Sequence, residues 1–140
     1  MPEIIKHTYT VSADDYSTAG EASAALKKVL RQLGFAAETI RRVAIAMYEG
    51  EINMVIHANG GQASAEISED KIKITLADSG PGIPDVELAM KEGYSTASDR
   101  ARSMGFGAGM GLPNIKRCSD EFQIETEVGK GTTLIITIYA

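Results

Sequence analysis

The stretch KIKITLADSGPGIP (71–84) decides how the rest of the chain is read. Its first residues alternate, with Ile72, Ile74 and Leu76 on one side and Lys71, Lys73 and Thr75 on the other. Alternation of this kind predicts a strand buried on one face and wet on the other. Asp78 ends the strand, and Gly80-Pro81-Gly82 breaks it with residues that admit backbone angles others avoid. Taken alone, DSGPGIP (78–84) is an ordinary turn. Its surroundings give it another meaning.

Upstream, EIIKHTYTV (3–11) reads as a strand, and a helix is expected over 17–33, with Ala22, Ala25, Leu26, Val29, Leu30 and Leu33 at helical spacing. Gly34 stops it, and a longer helix runs from Glu38 to His57 before Asn59-Gly60-Gly61. Its core face is expected to be Ile40, Val43, Ala44, Met47, Met54 and Val55. Strands follow at 62–69 and 71–78, then a short helix from Asp85 to Lys91. Residues 93–111 carry five glycines and little apolar periodicity, and read as a functional, mobile loop. A helix over 112–119 and a closing hairpin, 122–128 and 132–140, complete the chain. The order βααββααββ predicts an α+β fold. It would be a two-layer sandwich in which a mostly antiparallel mixed sheet carries helices on one face, with residues 1–140 forming a single domain.

The composition, 44% hydrophobic and 24% charged over 140 residues, is that of a globular protein with one core. A net charge of −5 argues against binding a nucleic-acid backbone. The single cysteine, Cys118, excludes an internal disulfide and points to a reducing compartment. No apolar run approaches the ~20 residues of a membrane span, and no signal peptide opens the chain, so the cytoplasm is the expected location. Tyr9 and Val11, read as exposed apolar positions on an edge strand, would suit a homodimer.

The second helix contains YEGEIN (48–53). Glu49 and Asn53, four apart, project from one face about 40° apart around the axis. A carboxamide oxygen is a hard ligand for a hydrated magnesium ion, and a carboxylate can accept a proton from a hydroxyl. Taken alone, a single Glu/Asn pair reads as a solvated helix face. His57 continues the line and reads as a structural histidine, while Glu51 falls on the far side with no expected role. GFGAGMG (105–111) places Gly105, Gly107, Gly109 and Gly111 at every second position before a helix start. A glycine-rich loop entering a helix offers free N–H groups to phosphate oxygens.

In their fixed order these pieces resemble the GHKL (Bergerat-fold) ATPase superfamily. Glu49-x-x-x-Asn53 matches its N box, Asp78-Ser79-Gly80-Pro81-Gly82 its G1 box, Gly105 to Gly111 its G2 box, and Gly131-Thr132 its final Gly-Thr. GPGIPD (80–85), EGYST (92–96), GLPNIKR (111–117) and DEF (120–122) are similar to the small bacterial anti-sigma factor serine kinases, closest to the stressosome switch kinase subgroup. One departure is SDRARSM (98–104), which lengthens the loop ahead of the G2 glycines.

The resemblance implies ATP and Mg2+ as cofactors. It implies that Asp78 accepts a hydrogen bond from the adenine amino group, a contact that guanine, with a carbonyl there, cannot make. Gly80 and Gly82 would let the backbone approach the base, and Thr132 would support the same pocket. Asn53 would hold magnesium, Glu49 would be the general base, and Gly105, Gly107, Gly109 and Gly111 would wrap the phosphates as a lid. The implied activity is a serine/threonine protein kinase acting on a small STAS-type antagonist, with a sigma factor or a phosphatase as the further partner. The alternative is an ATP-gated binding module, an anti-sigma factor without phosphotransfer. A catalytic base in line with the metal ligand favours the kinase.

Overall fold

In the computed structural model, which describes residues 4–11, 20–57, 61–83, 86–90 and 111–140, the alternating stretch becomes the central strand of a five-stranded sheet. The strands are β1 (Ile5–Val11), β2 (Gly61–Ile67), β3 (Lys71–Asp78), β4 (Glu121–Glu127) and β5 (Gly131–Tyr139). The helices are α1 (Glu21–Gln32), α2 (Ala37–His57), α3 (Val86–Ala89) and α4 (Gly111–Cys118). The order in the sheet is β1-β2-β3-β5-β4, and all four pairings are antiparallel. The expected mixed sheet is therefore corrected to a purely antiparallel one among the described residues. Among the described residues the elements follow the expected βααββααββ order.

Register follows from the alternation. Ala65 pairs with Ile74, Ile74 with Ile136 and Ile136 with Phe122, so one row of apolar side chains crosses four strands. Ile72 pairs with Ile67 and Ile138, and Leu76 with Ala63 and Leu134. These residues are buried under α1, α2 and α4, Phe122 only partly, while Lys71 and Lys73 are exposed on the opposite face. Burying each large aliphatic side chain contributes about 1.5–3 kcal/mol, which locks the register, since a one-residue slip would turn the whole row to water.

Helix α2 presents Ile40, Val43, Ala46, Met47, Met54 and Val55 to this core. Ala44 is only half-buried and Ala46 takes its place. On α1 the buried set is Ala22, Ser23, Leu26 and Leu30, whereas Ala25 and Leu33 are exposed. Arg42 Nη2 of α2 meets Asp120 Oδ2 at 3.0 Å, and the Tyr139 N–H donates to that same oxygen at 2.7 Å. One carboxylate thus ties α2 to the sheet, and these bonds hold it below the usual aspartate range. Strand β1 is an edge, as expected, but Val11 is buried and Tyr9 packs half-buried against the core. The exposed apolar pair expected to favour a homodimer is therefore absent, because both residues lie on the helix-covered side of their strand.

Candidate functional site

Asp78 closes β3 and is held by its neighbours. Its Oδ1 accepts the Gly80 N–H at 2.9 Å and the Thr132 N–H at 3.1 Å. Oδ2 has no hydrogen-bond partner among the described residues. Two backbone donors on one oxygen fix the carboxylate plane and leave its other oxygen for a ligand donor. Thr132, buried on β5, places its hydroxyl 2.9 Å from that of Thr126 on β4. Thr126 Oγ1 also accepts the Ile83 N–H at 2.8 Å, and the Gly129 N–H donates to the Pro81 carbonyl at 2.9 Å. Residues 80–83 are thereby strapped to the β4–β5 turn.

The strap explains Gly82. Its φ of +79° lies in the left-handed region, and a Cβ there would meet Glu127 O at 2.5 Å. Gly131 plays the matching part on β5, where a Cβ would fall 2.2 Å from Asp78 O. Only glycine lets the two backbones close around Asp78.

A second cluster gathers on α2 and α4. Glu49 and Asn53 share a helix face, as their spacing requires, and the first residue of α4 lies over them. A Cβ on Gly111 would stand 3.1 Å from Asn53 Oδ1 and 3.4 Å from Glu49 Oε2. Burial of Leu112, Pro113 and Ile115 seats α4 in this position. Asn114, one turn into α4, donates from Nδ2 to Glu49 Oε1 at 3.4 Å. The two clusters are neighbours because Gly50 lets α2 approach β3: a Cβ on it would lie 2.7 Å from Leu76 Cδ1. Beyond it, a Cβ on Gly61 would meet both Met54 Cε, at 2.6 Å, and Asp78 Cα, at 3.0 Å.

Glu51 corrects the expectation that it has no role. It is buried, and its carboxylate accepts N–H groups from Gly20 at 2.9 Å, Ala22 at 3.3 Å and Ser23 at 2.8 Å. These are donors that the start of α1 leaves unmatched, since Gly20 at the N-cap provides no side-chain acceptor. Glu51 of α2 therefore caps α1 from outside. Burial pushes its carboxyl above the ordinary glutamate value, against the pull of the three N–H groups. The sequence carries only half of this signal: Gly20 at the cap position has no side-chain acceptor, but nothing local names Glu51 as the partner.

Of the expected site residues, the structure brings together Glu49, Asn53 and Gly111 in one cluster and Asp78, Gly80, Gly82 and Thr132 in the other. Gly105, Gly107, Gly109, the expected lid and the lengthened loop 98–104 lie outside the described residues, as does the His57 side chain. Sequence reasoning missed Thr126, Asn114, Gly50 and Glu51. Thr126 faces Thr132 across the hairpin, so pairing the two strands in register would have found it.

A model of the histidine kinase-like ATPase domain matches residues 11–138. The chain is 35% identical over 112 residues to the serine/threonine-protein kinase RsbT of Bacillus subtilis (strain 168), covering 77% of this chain and 78% of that one. It is 31% identical over 121 residues to an anti-sigma F factor of Clostridium beijerinckii, covering 82% and 81%. Among solved structures, the RsbU and RsbW domains of Rv1364c from Mycobacterium tuberculosis superpose with a TM-score of 0.61 at 16% identity. That match covers 96% of this chain and 32% of the other, and it is a likeness of fold.

Proposed function

The chain belongs to the histidine kinase-like ATPase domain family, and from that premise we propose that it is an ATP-dependent serine/threonine protein kinase. The observation that carries the reading is the placement of the Glu49 carboxylate beside the Asn53 amide, beneath Gly111. A binding module needs a metal ligand there but no base.

The residues fit the groups the reading requires. Asp78 Oδ2 offers an acceptor to the adenine amino group, and Thr132 and the strapped turn 80–83 hold that acceptor in place. Asn53 Oδ1 is a hard oxygen suited to a magnesium ion that keeps most of its waters, and such an ion would neutralise phosphate charge. Glu49 removes the proton from a serine or threonine hydroxyl as that oxygen bonds to the γ-phosphorus and the bond to the ADP oxygen breaks. The phosphorylated protein is a small STAS-type antagonist, and a sigma factor or phosphatase is the second partner in the switch. No helix among the described residues is long and apolar enough to cross a membrane, and the single cysteine agrees with a cytoplasmic setting.

The test mixes the protein with ATP, magnesium and a STAS-type antagonist and follows one added phosphate by mass spectrometry. Glu49→Gln should retain ATP affinity while phosphotransfer falls by about 10²–10⁴-fold. Asn53→Ala should weaken nucleotide binding itself, with partial recovery at high magnesium. Equal transfer by Glu49→Gln would place the base elsewhere. No transfer by the unmodified protein would leave an ATP-gated binding module in its place.

A further inference from the structure

Asn114 lies between two charged side chains that together decide which way its amide points. Arg117, one turn further along α4, donates from Nη2 to Asn114 Oδ1 at 2.9 Å. On the other side Asn114 Nδ2 faces Glu49 Oε1 at 3.4 Å. A guanidinium has only donors and a carboxylate only acceptors. A flipped amide would set N–H against the guanidinium and C=O against the carboxylate, so one orientation satisfies both neighbours.

This arrangement makes the two oxygens of Glu49 unequal. Oε1 is engaged by Asn114, whereas Oε2 lies with Asn53 Oδ1 beneath Gly111, 3.4 Å and 3.1 Å from where a Cβ would stand. We propose that Asn114 is a positioning residue for Glu49, oriented in turn by Arg117, and that Oε2 is the oxygen that takes the substrate proton. The inference rests on the kinase reading, in which Glu49 is the base. A carboxylate without this contact can rotate about its terminal bond and swing its free oxygen away from the reacting hydroxyl. Misplacement on the scale of an ångström can cost up to roughly 10²-fold in rate.

Asn114→Asp is the discriminating variant, since it keeps the shape and the acceptor for Arg117 but replaces the donor facing Glu49 with a second carboxylate oxygen. Phosphotransfer to the STAS-type antagonist should fall by about 10–100-fold in kcat, with KM for ATP and thermal stability close to those of the parent. Asn114→Gln, which restores a donor on a longer arm, should recover part of the loss. Because Asn114 acts through Glu49, adding Asn114→Asp to Glu49→Gln should lower the rate no further. A second readout needs no substrate: the side-chain amide protons of Asn114 in the NMR spectrum should shift when Glu49→Gln is introduced. Full activity in Asn114→Asp, a multiplicative loss in the double variant, or amide resonances that ignore Glu49→Gln would each overturn the positioning role. Should Glu49→Gln alone transfer phosphate like the parent, the base assignment falls first and this inference with it.

Discussion

Among the described residues Asp78 engages only one carboxylate oxygen in hydrogen bonds, and that division gives the first prediction. In Asp78→Asn the oxygen will stay on the Gly80 and Thr132 N–H groups, so under the proposed reading the new NH2 would meet the adenine amino group, donor against donor. ATP affinity should drop by about 1–3 kcal/mol, the scale of a hydrogen bond to a charged group. Calorimetry returning the parent's affinity would remove Asp78 from base recognition. Glu51 is the opposite case, a carboxylate turned wholly inward. Glu51→Gln presents an NH2 to at least one of three backbone N–H groups and should destabilise the fold by about 1–3 kcal/mol in urea titrations. Burial raises the Glu51 carboxyl above the ordinary value of 4.5, so the folded state holds this proton more tightly than the unfolded chain. The group's contribution is therefore complete below the ordinary value and is lost as pH rises through the elevated one. The stability advantage of the parent over Glu51→Gln should accordingly shrink as pH is raised from 4.5 towards neutrality. An advantage that grows over that range would contradict the burial argument.

Between elements, contacts that only glycine permits set the geometry, and two glycines of similar φ separate backbone strain from close approach. Gly82 and Gly129 have φ of +79° and +83°, but a Cβ on Gly82 meets Glu127 O at 2.5 Å, while Gly129 has nothing within 4 Å. Gly129→Ala should cost roughly 1–2 kcal/mol, the left-handed penalty alone. Gly82→Ala should cost clearly more, because its methyl group also forces the 80–83 strap away from the β4–β5 turn, and ATP binding should weaken with it. Equal losses in the two variants, measured by urea denaturation, would show that the strap tolerates the extra atom. At this scale the sequence was readable where periodicity is strong: β3, β5 and α2 fall within one or two residues of expectation. The start of α1 was misplaced, at 17 rather than Glu21, because its cap comes from Glu51, thirty-one positions beyond Gly20 along the chain. No local pattern records such a partner.

For the molecule as a whole, the Asp78 cluster and the Glu49–Asn53 cluster come together through the packing of α2 on β3. A ligand that touches both should therefore stabilise the entire fold. With ATP and magnesium at about a hundredfold excess over Kd, mass action adds about 2.7 kcal/mol, which should raise the melting temperature by several degrees. GTP should give little of this, and Asp78→Asn should lose most of it. An equal rise with GTP would mean that the base is not read. The α+β class, the element order and the four boxes were legible in the chain, because alternation, helical spacing and glycine placement are local properties with local physical causes. The lining of the site was only partly so. Glu49 and Asn53 share a face by helix geometry, and Asp78 ends its strand by alternation, so spacing places all three, while only the family resemblance singles them out as a site. That the Thr132 N–H donates to Asp78 Oδ1, that Asn114 reaches Glu49 and that Thr126 takes the Ile83 N–H were decided by tertiary structure alone. Each of these contacts joins residues from forty-three to sixty-five positions apart. Their distances are set by how closely Gly50, Gly82, Gly111 and Gly131 let separate backbones approach, a property of the packed core that no single segment carries.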